Sequence, residues 1–164
     1  MYNNQTGKFP HVSSQGNRYT MVLAHIDSDS IWVEPMKNRT EGGMMLARRR
    51  ALERMHAVGI IPKRQVLDNE ISMAYMQEIM ETRMTYQLVP PDDHRRNIAE
   101  KTIQKWKDHF VSVCSGVSAH FPMHLWCRLI PQAETPLKTE TKWSFHVWIV
   151  FPAMFRLWSS GGSS

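Results

Sequence analysis

The sequence predicts an α/β layered fold built on a mixed sheet. Two β-rich apolar runs, Tyr19–Ile26 and Ile31–Met36, flank the polar turn Asp27-Ser28-Asp29-Ser30 and read as an antiparallel hairpin. Helical and strand-like segments then alternate, as a sheet covered by helices requires. A long helical stripe closes the series: Ala99, Ile103, Trp106, Phe110 and Val113 recur at spacings of 4, 3, 4 and 3.

Each element follows from local chemistry. Met1–Val12, punctuated by Gly7 and Pro10, reads as a first strand entering a loop, and Ser13–Asn17 is a turn cluster. The strands of the hairpin complete a three-strand meander. Thr40 or Asn38 caps a helix whose face is Met44, Ala47, Ala51, Met55 and Val58, with Arg48, Arg49, Arg50 and Arg54 largely off it. Gly59 stops that helix. Gln65–Leu67 is a short strand, Ile71–Thr82 a second helix, and Tyr86–Val89 a strand closed by Pro90-Pro91. The long helix spans about Asp93 to Cys114, and Pro122 opens a last helix through Leu125, Trp126, Leu129 and Ile130. The helical methionines Met44, Met45, Met55, Met73, Met76 and Met80 read as core filler.

At 164 residues and 42% apolar composition, one domain with a real core is expected. The formal charge of +5 and pI of about 9.4 lean toward a polyanionic partner. Cys114 and Cys127 alone exclude a disulfide scaffold and a CxxC zinc knuckle, and fit reduced thiols of a nuclear or cytoplasmic protein. No secretory signal opens the chain, and the aromatic stretch Trp143–Trp158, broken by His146, Pro152 and Arg156, is too short to span a membrane.

Two carboxylates stand at positions where chemistry is found. Asp68 ends a buried strand, and Glu100 lies at the edge of the long helix's apolar face, flanked by Arg96, Gln104 and Lys107. Carboxylates that meet across a strand end and a helix margin can hold two Mg²⁺ for phosphoryl transfer. From spacing alone, a cap at Asp68 and a solvated Glu100 explain the pattern more simply. Asp27 and Asp29 read as turn residues, and Glu70 as an acid at a helix start. Arg95, Arg96, Lys101 and Lys105 add charge around the helix. A solvated basic face and a phosphate-contacting one are both open.

Taken in order, Asn4-Gln5-Thr6-Gly7-Lys8-Phe9-Pro10, Ser13–Tyr19, Leu67-Asp68-Asn69-Glu70, Gln87–Pro91, His94–Glu100 and Leu125-Trp126 resemble the integrase catalytic core of copia-type retrotransposons, a branch of the retroviral integrase superfamily. The Leu-Asp-Asn-Glu and His-Arg-Arg-Asn-Ile-Ala-Glu variants look most like copia-like elements of diatoms and related protists. The resemblance covers about residues 2–137. It implies an RNase H-like fold and metal-dependent phosphoryl transfer on DNA, with three acids binding two Mg²⁺ (or Mn²⁺). Asp68 and Glu100 match the second and third acids and should approach one another. The first acid's place is held by Asn4, so metal binding is expected to be weakened. Lys107, seven residues after Glu100, resembles a DNA-end contact of retroviral integrases, Gln104 departs from the Lys often seen at the four-residue offset, and with Arg96, Lys101 and Arg95 they are the expected DNA-binding residues. The implied partner is DNA. Self-association is open, and no membrane is implied. By the same resemblance the chain starts within the family's first strand, without its upstream zinc-binding domain. Residues 138–164 read as a divergent tail, as in a frameshifted or degenerate copy. A catalytically inactive DNA-binding or multimerising remnant, and an RNase H-like nuclease, are the alternatives.

Overall fold

A computed structural model of the chain describes residues 1–67, 72–89 and 94–139. Its sheet has five strands, β1 (Tyr2–Gln5), β2 (Tyr19–His25), β3 (Ser30–Met36), β4 (Arg64–Leu67) and β5 (Thr85–Leu88), in the spatial order β3-β2-β1-β4-β5. The meander is antiparallel, with Asn4 opposite Val22 and Val22 opposite Val33. β4 then joins β1 in parallel, and β5 joins β4 in parallel. The expected mixed sheet is therefore present. The hairpin turn holds a short 3₁₀ segment, Ile26–Ser28, and Asp29 takes a left-handed conformation with φ 45°. An aspartate tolerates that region better than most residues.

Helices cover both faces. α1 (Glu41–Ala57) and α2 (Met73–Glu81) lie on one, and α3 (His94–Gly116) and α4 (Ile130–Thr139) on the other. Strand alternation sorts the side chains between two cores. Met21, Leu23, Trp32 and Met36 pack with Ala47, Ala51, Leu52, Met55, Tyr75 and Ile79. Val22, Ile31 and Val33 pack with Ile103, Trp106, Phe110, Trp126, Ile130 and Ala133. β2 is buried on both faces, so it reads as an unbroken apolar run.

The helix starts are chemically explicit. Thr40 caps α1, its hydroxyl accepting from Gly43 N–H, and Asn38 Oδ1 accepts in turn from the Thr40 hydroxyl at 2.6 Å. Ser72 caps α2 by accepting from Tyr75 N–H. Gly59, with φ +79°, follows the end of α1.

Several expectations change. Arg48, expected off the α1 face, is fully buried. It stands three residues before Ala51 and four before Leu52, so it shares their stripe. Its Nε donates to Gln65 Oε1 at 2.8 Å and its Nη2 to Thr82 Oγ1 at 3.0 Å, with Glu78 at 3.8 Å. Val58, expected on the core face, is exposed because α1 has ended at Ala57. Met73 and Met80 are exposed rather than core filler, whereas Met55 is fully buried. The last helix begins as a 3₁₀ helix, Met123–Leu129, and becomes α-helical only as α4. Both cysteines are free and buried, and burial pushes the Cys114 thiol up to about 12.

The edge strand β3 is closed by a charged knot. Glu134 of α4 accepts from the outward-facing Val33 N–H, and Arg54 of α1 donates to Val33 C=O at 3.2 Å. Arg54 also donates to Glu34 at 2.6 Å and to Glu134. Side chains thus occupy the edge at Val33, a spot where another strand could otherwise add. Removing one partner of a buried ion pair leaves uncompensated charge. The Arg54 side chain is itself 38% exposed, which softens the loss, and Arg54→Ala should lower stability by about 1–3 kcal/mol in urea unfolding.

Burial raises the Glu34 carboxyl above its ordinary value of 4.5, although the Arg54 hydrogen bond and charge pull it down. A raised carboxyl contributes stability that is full below the unfolded value and is lost as pH rises through the folded one. Glu34→Gln removes that loss. Its stability relative to the natural chain should grow as pH rises above 4.5, read from urea midpoints across pH.

Candidate nucleic-acid interface and acidic site

β1 is the central strand, and its carboxyl end lies at the same sheet edge as the carboxyl end of β4, because the two run parallel. In an α/β sheet that edge presents ligand-binding groups. Antiparallel partners point to the same face. The pairing with Val22 therefore assigns Asn4 to the sheet face that α3 covers. Its neighbours on the strand belong to the other face. Asn3 Nδ2 donates to the Tyr75 hydroxyl at 3.0 Å, and Gln5 Nε2 donates to Met44 Sδ. The Tyr75 hydroxyl itself is pushed up to about 12 by burial.

Leu67 ends β4 as a buried residue. Asp68 follows it directly and lies outside the described residues, as do Asn69 and Glu70. The expected approach of Asp68 to Glu100 falls there too.

Glu100 is exposed on α3. At about 100° per residue it falls inside the arc bounded by Trp106 and Val111, both buried. It belongs to the sheet-facing stripe by angle. Its exposure follows from its place along the axis, one turn before Ile103, where the described core of the helix begins. Lys107, two turns further, lies on the same side and is half-buried. Gln104 is exposed and donates to Asp108 Oδ1 at 2.7 Å. Lys101 is exposed on the outer side. Arg95 and Arg96 stand in the first turn of α3, and their side chains lie outside what is described. The basic helix therefore divides into Lys107 beside the sheet-facing stripe and Lys101 and Lys105 turned to solvent.

The remaining motif residues are structural. Thr6 is buried, and its hydroxyl pairs with that of Thr20 at 2.9 Å. Phe9 is buried and stacks on Trp126, ring centroids 4.3 Å apart. Ser13 Oγ accepts from Asn17 N–H at 2.9 Å, which closes the turn. Asp27 and Asp29 are exposed in the β2–β3 turn, at the opposite edge of the sheet. No sequence pattern marks Arg39, yet its Nε donates to Gln5 Oε1 at 2.7 Å, one residue from Asn4.

Among the described residues, no three of His, Cys, Asp and Glu converge to hold a metal ion. Of the three positions assigned to metals by resemblance, Glu100 is the one carboxylate whose side chain is described, and position 4 is an amide. An amide carbonyl is neutral, and Mg²⁺ favours carboxylate oxygen. That donor set fits two divalent cations poorly.

No family model matches the sequence, and a comparison with curated proteins finds no match. Solved structures do match. The chain is similar to the catalytic core domain of BIV integrase, with a TM-score of 0.58 and 9% identity over 88% of this chain and 85% of that one. It is also similar to a chain of the simian T-cell lymphotropic virus intasome in complex with the PP2A regulatory subunit B56 gamma, with a TM-score of 0.63 and 13% identity. That match covers 88% of this chain and 49% of the intasome chain, so the chain spans about half its length. No helix among the described residues is long and apolar enough to cross a membrane. The five-strand mixed sheet flanked by helices is the RNase H-like fold of retroviral integrase catalytic cores.

Proposed function

We propose that the chain is a copia-type retrotransposon integrase core in degenerate form, which binds DNA and has lost polynucleotidyl transfer. The observation that supports this best is the joint placement of β1 and α3. Position 4 sits on the central strand, on the face that α3 covers, and Glu100 lies on that helix's sheet-facing stripe. This is the arrangement in which a family of metal-dependent phosphoryl transferases would gather its acids. The chain keeps that frame and carries an amide at the first position.

Loss of transfer follows from charge. The first acid would contact both cations, so its negative charge counts at each. Asn4 supplies none. Charge developing on the transferred phosphoryl group would go largely unneutralised, a loss of several kcal/mol or orders of magnitude in rate. DNA binding needs no acid. It needs cations that reach phosphate, and α3 carries Lys107 beside Glu100 with Lys101 and Lys105 outward.

Strand-transfer and nicking assays with Mg²⁺ or Mn²⁺ should give no product with the natural chain. Asn4→Asp should raise Mg²⁺ affinity in calorimetric titration. Activity of the natural chain that is abolished by Asp68→Asn would overturn the degenerate reading and make Asn4 a working ligand.

Lys107→Ala should weaken binding to duplexes of any sequence about equally, and lower the slope of log affinity against log salt by about 0.9. Fluorescence anisotropy at several salt concentrations reads both. Absence of DNA binding even at low salt would reduce the helix to a solvated basic face.

A further inference from the structure

We infer that a second cationic surface, formed by Lys8, Arg18, Lys37 and Arg39 at the carboxyl edge of β1 and β3, is a track for the phosphate backbone of duplex DNA. The inference rests on the reading of the chain as a DNA-binding core, and it concerns residues outside α3.

The fold brings these four residues together from two connections. Phe9 N–H donates to Arg18 C=O at 2.7 Å, and Arg18 N–H donates to Met36 C=O at 2.8 Å. Lys8, Arg18 and Lys37 therefore sit on three adjacent chain segments that continue the ladder of the sheet. Hydrogen-bonded segments lie about 4.8 Å apart, so the three cations form a row across the edge. The Lys37 stem lies along the turn at Gly16, where an added Cβ would meet its Cε at 3.8 Å. Gly16 has φ +80°, which leaves the turn tight against that stem. Arg39 completes the row by folding back onto Gln5 at 2.7 Å.

All four side chains are exposed, and among the described residues none forms an ion pair with a carboxylate. Glu41, the first residue of α1, accepts a hydrogen bond from the Ser72 hydroxyl. Asp27 and Asp29 are at the far edge of the sheet. The four cations thus stand at the edge where β1 and β3 end, away from Asp27 and Asp29. The backbone beneath the row is anchored. Phe9 is buried against Phe110 and Trp126, and Ser14 N–H donates to His124 C=O at 2.7 Å. A row of exposed cations on an anchored backbone, with no carboxylate partner among the described residues, suits a regularly charged polyanion better than a single small anion.

The test uses the full chain, a random-sequence duplex, and vesicles of phosphatidylserine and phosphatidylcholine. The variant Lys8→Gln/Arg18→Gln/Lys37→Gln should lower the salt slope of duplex binding by about 2.7, since each lost phosphate contact contributes about 0.9. Lys8→Arg/Arg18→Lys/Lys37→Arg keeps the charge and should keep the slope. If the triple Gln variant fails to fold by circular dichroism, Arg18→Gln alone should lower the slope by about 0.9. A folded Gln variant with unchanged slope would overturn this track and leave DNA binding by α3 standing. A natural chain that binds no duplex at low salt would overturn the DNA-binding reading itself, and the track with it. Loss of vesicle binding in the Gln variant with duplex binding intact would overturn DNA as the occupant in favour of an anionic membrane surface.

Discussion

The aromatic cluster of Phe9, Trp106, Phe110 and Trp126 is the contact on which the site depends. Trp106 stacks on Phe110 at 4.9 Å, Phe9 stacks on Trp126 at 4.3 Å, and Phe9 meets Phe110 at 6.0 Å. Trp126 Nε1 donates to His11 C=O at 2.8 Å, so the large ring keeps its polar edge satisfied. Four rings interlocked in this way leave α3 one rotation about its axis. That rotation turns Glu100 and Lys107 toward the sheet and Lys101 away. The same cluster holds the connection after β1 from below, because Phe9 points in while Lys8 and Arg18 stay out. Core packing therefore sets the geometry of both charged surfaces.

β1 is gripped from the other face by polar chemistry. Asn3 reaches Tyr75 of α2, and α2 in turn is tied to α1 through Glu78, which pairs with Arg49 at 2.8 Å and stands 3.8 Å from Arg48. Burying such groups is costly unless they are paired, and here one carboxylate serves two guanidinium groups. The Glu34–Arg54–Glu134 knot inverts that stoichiometry, with one guanidinium serving two carboxylates. Both devices join elements distant in sequence and fix their register. The knot also joins the two layers around the edge strand, since Arg54 belongs to α1 and Glu134 to α4.

Legibility in the sequence tracked periodicity. The hairpin, the meander and the alternation of helix and strand follow apolar spacing, which reports burial directly. The residues that escaped are charged groups on apolar stripes. Arg48 shares its stripe with Ala51 and Leu52, but a reading by hydropathy discards an arginine before asking what faces it. Glu34 and Glu134 are buried for the same reason: their partner, Arg54, is remote in the chain and adjacent in space. The site was legible only in part. Glu100 could be set at a helix margin by angle, while its exposure depends on how far the sheet extends beneath α3. The row from Lys8 to Arg39 carries no linear signature, because it is assembled by strand pairing between two connections.

Under the proposed reading, the amide at position 4 alters more than metal affinity. Carboxylates gathered at a strand edge repel DNA phosphate unless divalent cations intervene. A site of this type therefore balances two opposed fields, a negative centre and a positive surround. Exchanging one central carboxylate for a neutral amide removes repulsion toward DNA and leaves the surrounding cations unopposed to the same extent. The change that disables transfer thus favours retention of the polyanion. Among the described residues the fold is held by the aromatic cluster and by the ion pairs of Glu34, Glu78 and Glu134, none of which is a candidate metal ligand. A chain of this kind keeps its core, its edge protection and its cationic surfaces after its chemistry is gone.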